Sequence, residues 1–485
     1  MDVAMFCCSP DDLGDVLSGN APTEVVVGMF GARSGRGADL IGAALGIDCA
    51  AFAAADPGFD GEPGARATVL IPGSSGALRV TLVGLGASIV GSAPLFEAAV
   101  SSGARGAVVS TLALEDRAAL GAVAQGHAIG SWRYRRPDTA ADPTSVTLVV
   151  DGAAGTDVTL ARAATVARAT AWVRQLTETP PNALRPREFA SEIADFAREL
   201  AGGSVVVETW DASLLAQRDF GGTLGVGAGS AEAPLVVVLQ VSGDGPWTAL
   251  AGKGITFDSG GVNLKRDLGE LSWMKSDMAA AASVAAAVIG AAALGTTGPV
   301  TAILPVAENM PGGRALRPGD VVRHPGGRTT EVLDTDSEGR LVLADALGWL
   351  AAQHPCRIID VGTLTDSGGV GHAFWGCWGT SDALTSELTA AGERAFDRGW
   401  ALPLHHSYLS RLASRVADVA NAPVGVPDSG QLAATYLRTF VGDVPWVHID
   451  NGSAAFLEDA AYPWPAGPTG TPVRALIELL APEAP

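Results

Sequence analysis

The chain has 485 residues and carries 52 Asp or Glu against 32 Lys or Arg, a formal charge of -20. That acidic excess disfavours a sequence-blind grip on nucleic acid or on an anionic membrane, because both depend on Lys and Arg neutralising phosphate. With 47 % hydrophobic and 17 % charged residues the chain can fill large cores, and its length predicts two domains.

The first fourteen residues contain no basic residue and no long apolar stretch, so they do not read as a secretory signal. Strand-like runs at 24–28, 67–71 and 79–83 and a helix-like stretch at 93–101 predict an α/β layer. A polar, Pro-containing segment at 133–145 leads to a strand at 146–150, and glycines then punctuate the chain near residue 155. We place there the end of an amino-terminal α/β domain, 1–155, followed by a connecting helix, 156–178, and a larger carboxyl-terminal domain, 179–485. In that domain a helix is predicted at 186–200, with near-continuous apolar strands at 205–208, 235–241, 247–251, 300–306 and 357–361. Such strands with intervening helices indicate a mainly parallel or mixed sheet flanked by helices on both faces, whose ligands sit outside the carboxyl ends of the strands. Glycines alternating over 225–229 lack the GxGxxG spacing of a dinucleotide loop and predict a turn. The longest apolar run, 278–294, is mostly alanine, falls short of the roughly 20 residues that span a bilayer, and predicts a buried helix. Five cysteines at irregular spacing suit a reducing, cytoplasmic setting and form no Cys/His metal pattern.

Only three lysines occur, Lys253, Lys265 and Lys275, and all the other basic residues are arginine. Codon bias explains an Arg-rich chain but not why lysine persists in one short window. Lysine differs in having an ammonium that can release its proton, whereas guanidinium stays charged. The same window runs from Gly252 through Lys253, Asp258 and the pair Gly260–Gly261 to Lys265, and then to Met274-Lys275-Ser276-Asp277. The spacing is not that of a phosphate-cradling loop. Further on, Asp334, Asp336 and Glu338 alternate and are followed by Arg340. An aspartate at a helix start is ordinarily a cap, and an acidic turn is ordinarily solvated. Three carboxylate segments, each near a strand end, together match the oxygen-rich environment of divalent cations. The seven histidines show no HExxH spacing.

These segments resemble the signatures of the M17 leucyl (cytosol) aminopeptidases: 252–265, 274–278, and Asp334-Thr335-Asp336-Ser337-Glu338-Gly339-Arg340-Leu341, which the family usually writes NTDAEGRL. Further matches run in order from Thr179-Pro180-Pro181-Asn182 through Glu308-Asn309-Met310-Pro311 and Thr363-Leu364-Thr365 to His448-Ile449-Asp450. The amino-terminal third resembles the family only in length and α/β character.

The resemblance implies an aminopeptidase with two divalent ions per subunit, Mn²⁺ or Zn²⁺, with Mg²⁺ or Co²⁺ also possible. It implies that Asp258 and Glu338 bridge the ions, that Asp336 completes one, and that Lys253 and Asp277 complete the other. As a ligand Lys253 must be neutral, which costs roughly 4–5 kcal/mol at pH 7 for an ordinary lysine and which two dications can offset. Lys265 would stabilise the oxyanion, and Arg340 would hold a bicarbonate ion that shuttles the proton. Met274, Thr363, Leu364 and Asp366 would line the pocket for the first side chain. Substrates would be peptides with a free amino terminus, and the assembly a homohexamer, with neither nucleic acid nor membrane as partner. Two departures concern the site. Asp334 stands where the family has Asn, adding a formal charge near the ions that either tightens metal binding or is protonated or hydrogen-bonded, and Asp366 stands where Gly is usual, making the pocket smaller or more polar. Competing expectations are a DNA-binding regulatory homologue, disfavoured by the net charge, and a catalytically silent scaffold, disfavoured by the filled ligand positions. Lys275 has no role in this scheme beyond a solvated helix-start lysine.

Overall fold

The computed structural model describes residues 3–19, 22–31, 33–73, 76–87, 91–136, 144–152, 156–423 and 425–483. The expected junction at residue 155 therefore lies outside the described residues, as does most of the polar segment before it. Contacts divide the chain into two units: residues up to Ala171 with Asp459–Ala466, and Trp172–Glu458 with the chain from Gly467 on.

The first unit is built on a sheet of β1 (Ala4–Cys8), β2 (Glu24–Phe30), β3 (Arg66–Gly73), β4 (Gly76–Gly84), β5 (Ala107–Ser110) and β6 (Ser145–Val149). Their order is β1-β6-β5-β2-β4-β3, and only the β3/β4 hairpin is antiparallel along this path. Alternation sends Val26 to the core shared with α1 (Ala93–Ser102) and α2 (Leu120–Ser131), and Val25 and Val27 to the opposite one with Ile41 and Phe59. The boundary between units falls within α3 (Thr156–Glu178).

The second unit opens with α4 (Pro186–Ala201), where Pro186 begins the helix with its preset φ and no orphan N–H. Its large sheet takes β7 (Val206–Trp210), β8 (Leu235–Val241), β9 (Thr248–Gly252), β10 (Gly254–Asp258), β11 (Val300–Asn309), β12 (Arg357–Gly362), β13 (Trp375–Gly379), β14 (Gly399–Ala401) and β15 (Trp446–Asp450). The order is β14-β13-β15-β12-β9-β11-β8-β7, with β10 also paired to β11. The central run β15-β12-β9-β11 is parallel and almost wholly buried.

Helices cover both faces of this run. Ala249, Ala251 and Ile303 join a core with Leu341, Val342 and Leu347 of α7 (Gly339–Ala351). On the alternate positions Gly252 lies against α6 (Ala279–Leu294), and a Cβ there would stand 2.8 Å from Ala281 Cα. α6 is apolar all round and buried along residues 279–291, packing on the sheet, α4 and α9 (Val473–Leu480). The stretch Leu268–Leu294 is long and apolar enough to cross a membrane by composition, and 83 % of its apolar window is buried.

One expected segment differs in part. Of the glycines expected in a turn, Gly225 and Gly227 close a helix, α5 (Gly221–Gly227), and the turn itself is confined to Ala228 and Gly229 after it; glycine lets this helix press onto α7, where a Cβ on Gly222 would meet Leu341 O at 2.4 Å. The glycine-flanked stretch 254–258 is a strand, since β11 extends past its other neighbours and supplies Val306–Asn309 for pairing.

Candidate metal centre and active site

The parallel strands end together, and the charged side chains stand just beyond. Lys253 follows β9, Asp258 ends β10, and Thr363 follows β12. Asp277 closes the 3₁₀ turn Met274–Ser276 ahead of α6, and Glu338 is the residue before α7. Gly339 is required there, since a Cβ would lie 2.6 Å from Lys253 Nζ.

Two ammonium groups are threaded among four carboxylates. Lys253 Nζ lies 2.9 Å from Asp277 Oδ1 and 2.7 Å from Glu338 Oε1, and it donates to Thr363 O at 2.8 Å. Lys265 Nζ lies 2.9 Å from Asp258 Oδ2 and 2.7 Å from Asp336 Oδ1. Asp258, Asp336 and Glu338 can each bring one oxygen within 4.8 Å of the others. Asp258 is aimed by donors from Gly260 N (2.9 Å) and Asn309 Nδ2 (2.8 Å). Asp277 is aimed by Thr363 Oγ1 at 2.6 Å. Among the described residues Asp277 Oδ2 is buried with no hydrogen-bond partner, and the lysines reach Asp336 Oδ1 and Glu338 Oε1 without hydrogen-bond alignment.

Four carboxylates outnumber two ammonium groups, and the titrations respond. Burial, reinforced by Glu338 and Asp258, pushes Asp277 well above the usual carboxylate range although Lys253 opposes it. Burial and the neighbouring Asp258 and Glu338 raise Asp336 to about 7. Glu338 is raised by burial and by Asp258. Burial alone would lower both lysines, but the carboxylates around them outweigh it and hold Lys253 and Lys265 above the ordinary lysine value. Excess negative charge in a dry site is thus partly met by protons, the condition that favours exchange of protons for cations.

A cleft of about 440 Å³ opens on this cluster, lined by Lys253, Asp258, Lys265, Asp277 and Asp336 on one side and by Met274, Thr363, Leu364 and Asp366 on the other. All the sequence-predicted residues except Glu338 and Arg340 line it. Glu338 lies beneath, bound to Lys253. Arg340, whose side chain is 2 % exposed, pairs with Asp428 at 2.5 Å where a bicarbonate ion was expected.

Glu270, Trp273 and Ser453 also line the cleft and carry no motif that singles them out; Glu270 Oε1 stands 3.8 Å from Lys265 Nζ. Asp334 takes the hydrogen-bonded alternative. Its Oδ1 accepts from Asp336 N at 3.0 Å, an Asx turn that Asn could equally form, so the substitution keeps the loop geometry. Lys275 is not a solvated lysine: Nζ donates to Glu178 O (3.0 Å) and Oε1 (2.8 Å), capping the end of α3 with a positive charge. Two histidines are held in buried pairs, His324 with Asp345 and His448 with Asp360.

The chain is similar to several known proteins. The family model described as "Cytosol aminopeptidase family, catalytic domain" (Peptidase M17) matches residues 171–477. A "Probable cytosol aminopeptidase" of Leifsonia xyli is 39 % identical over 487 residues, covering 95 % of this chain and 96 % of its own. One from Rhodococcus opacus is 41 % identical over 395 residues, covering 77 % and 76 %. The solved structure "Bottromycin maturation enzyme BotP in complex with Mn" superposes with a TM-score of 0.81 at 34 % identity, covering 95 % of this chain and 99 % of that one.

Proposed function

This chain belongs to the cytosol aminopeptidase family, M17, and from that premise we propose that its acidic cleft removes the first residue of peptides on two divalent ions held by Lys253, Asp258, Asp277, Asp336 and Glu338. Membership makes it a metal-dependent aminopeptidase, a peptide-bond hydrolase. The observation that carries the ligand assignment is the set of carboxylate oxygens left incompletely satisfied: Asp277 Oδ2 without a partner, and Asp336 Oδ1 and Glu338 Oε1 met only by misaligned lysines. Buried oxygens of that kind persist when a cation is their intended partner.

By motif position Asp258, Glu338, Asp336, Lys253 and Asp277 would hold the ions between them. The donor set, four carboxylates and one amine, accepts Mn²⁺, Zn²⁺, Mg²⁺ or Co²⁺. When bound, the ions polarise the scissile carbonyl and acidify a water. Lys253 has to give up its proton to serve as a ligand, and its carbonyl contact with Thr363 orients the nitrogen. Lys265 reaches the cleft as an ammonium and stabilises the oxyanion that develops on the substrate. Met274, Thr363, Leu364 and Asp366 shape the pocket for the first side chain, and Asp366 makes it polar. The resemblance also implies bicarbonate on Arg340, but the residues present do not fit that ion, because Asp428 already takes the guanidinium's fork. The reading extends to a cytoplasmic homohexamer acting on peptides with a free amino terminus, with sedimentation as its check on assembly.

The test is hydrolysis of leucine anilide and of dipeptides after chelation and reloading with Mn²⁺ or Zn²⁺. Activity should return with metal, vanish when the substrate is N-acetylated, and fall steeply in Lys265→Ala and Asp336→Ala. Activity that survives both substitutions would overturn the mechanism.

A further inference from the structure

Arg340 and Asp428 carry the next step. The guanidinium is buried at the start of α7, and its planar fork is filled. Nη1 donates to Asp428 Oδ1 (3.2 Å) and to Asn421 O (2.7 Å), and Nη2 donates to Asp428 Oδ2 (2.5 Å). Arginine binds a planar carboxylate in this two-pronged way with more directional force than it binds a single oxygen. The Asp428 carboxylate is itself saturated. Oδ1 also accepts from Ser429 N at 2.8 Å and Oδ2 from Ser337 Oγ at 3.2 Å. Each oxygen therefore has two donors, which is all the lone-pair capacity a carboxylate offers.

Bicarbonate is a planar oxyanion that would need the same fork. For it to bind, Asp428 would have to leave four donors, and two negative charges would then crowd one buried arginine. Ser337 and Arg340 lie on either side of Glu338–Gly339 in the acidic motif, so the pair is tied to the segment that supplies two of the proposed ligands. Asp428 reaches them from the segment ahead of α8 (Gly430–Arg438), where Ser429 precedes the helix.

We propose that Asp428 is a built-in replacement for bicarbonate: it occupies the anion position of Arg340, fixes the guanidinium, and makes this enzyme independent of added bicarbonate. Asp428 is a positioning residue here, acting through Arg340. What the anion does for turnover rests on the aminopeptidase reading above; whether the position is taken does not.

The experiment uses full-length, Mn²⁺-loaded protein in buffers scrubbed of carbon dioxide, as wild type, Asp428→Asn and Asp428→Ala. Binding is read first, by ¹³C line broadening of labelled bicarbonate on titration with each protein. Wild type should give no saturable broadening, and Asp428→Ala should give saturable broadening that Arg340→Met removes. Peptide hydrolysis is read second, with and without bicarbonate. Wild type should change by less than twofold. Asp428→Ala should lose at least fivefold in kcat, largely restored by bicarbonate, and Asp428→Asn, which keeps a neutral partner on the fork, should lie between. Saturable bicarbonate binding by wild type, or equal activation of wild type and Asp428→Ala, overturns the proposal. If no variant hydrolyses any peptide, the aminopeptidase reading fails, while the ¹³C titration still decides whether Asp428 excludes the anion. Should Asp428→Ala fail to fold, Asp428→Asn decides the same comparison.

Discussion

The Lys253 ammonium stands 2.7 Å from Glu338 Oε1 with side-chain exposures of 4 % and 2 %, at ion-pair distance and out of hydrogen-bond alignment. If Lys253 is a ligand as proposed, metal loading takes the proton from that nitrogen and from whichever carboxylates hold one. Protons and cations therefore compete, and affinity should climb as pH rises. Asp336, raised to about 7, puts much of the change near neutrality. Titration calorimetry at pH 7 in buffers of different ionisation enthalpy should report more than one proton released per chain, and an affinity flat between pH 5.5 and 8 would contradict the arrangement.

The same shifts predict how the metal-free fold responds to pH. Asp277, Asp336 and Glu338 have folded-state pKa values raised above the unfolded ones, so their contribution is full below the ordinary carboxylate pKa and is lost as pH rises through the raised values, about 7 for Asp336. Bound cations remove that loss. The increase in Tm on adding Mn²⁺ should be larger at pH 8 than at pH 5.5, measured by scanning calorimetry.

Substituting each lysine in turn separates their proposed roles. Lys253→Arg keeps a charge but cannot donate a lone pair, so metal analysis should find one of the two ions lost. Lys265→Ala should leave metal content intact and lower kcat about 10²–10³-fold, the usual effect of removing an oxyanion donor.

Thr363 Oγ1 holds Asp277 Oδ1 at 2.6 Å. Removing an outer partner of a ligand commonly weakens metal binding about 10–100-fold. Thr363→Val should show this in competition with a chromophoric chelator, and Thr363→Ser should restore most of it.

Asp366 lines the cleft. Asp366→Gly should raise kcat/KM for Leu-Gly relative to Ala-Gly, Arg-Gly and Cys-Gly. An unchanged strong preference for Leu in wild type and variant would dismiss Asp366 as a determinant.

The sequence by itself carried the residue types of the proposed centre, because motif spacing writes residue type and local backbone together. Gly252-Lys253-Gly254 and Asp336-Ser337-Glu338-Gly339 place glycine where a Cβ would strike a neighbour, beside the residues proposed as ligands. Burial of the parallel strands was legible for a similar reason, since residues covered on both faces must be apolar throughout. The tertiary structure decided what depends on approach between distant segments. Arg340 and Asp428 are 88 residues apart, and Lys275 and Glu178 are 97 apart. No local pattern marks either partner, because an exposed-looking aspartate or lysine acquires its role only from what the fold carries to it. The direction of Asp334 was likewise hidden: its type left open charge at the metals or a hydrogen bond, while its geometry spends an oxygen on the Asp336 amide. Of the three lysines, two have proposed roles that follow from the sequence motifs, and the third acquires one only from the carbonyl it caps.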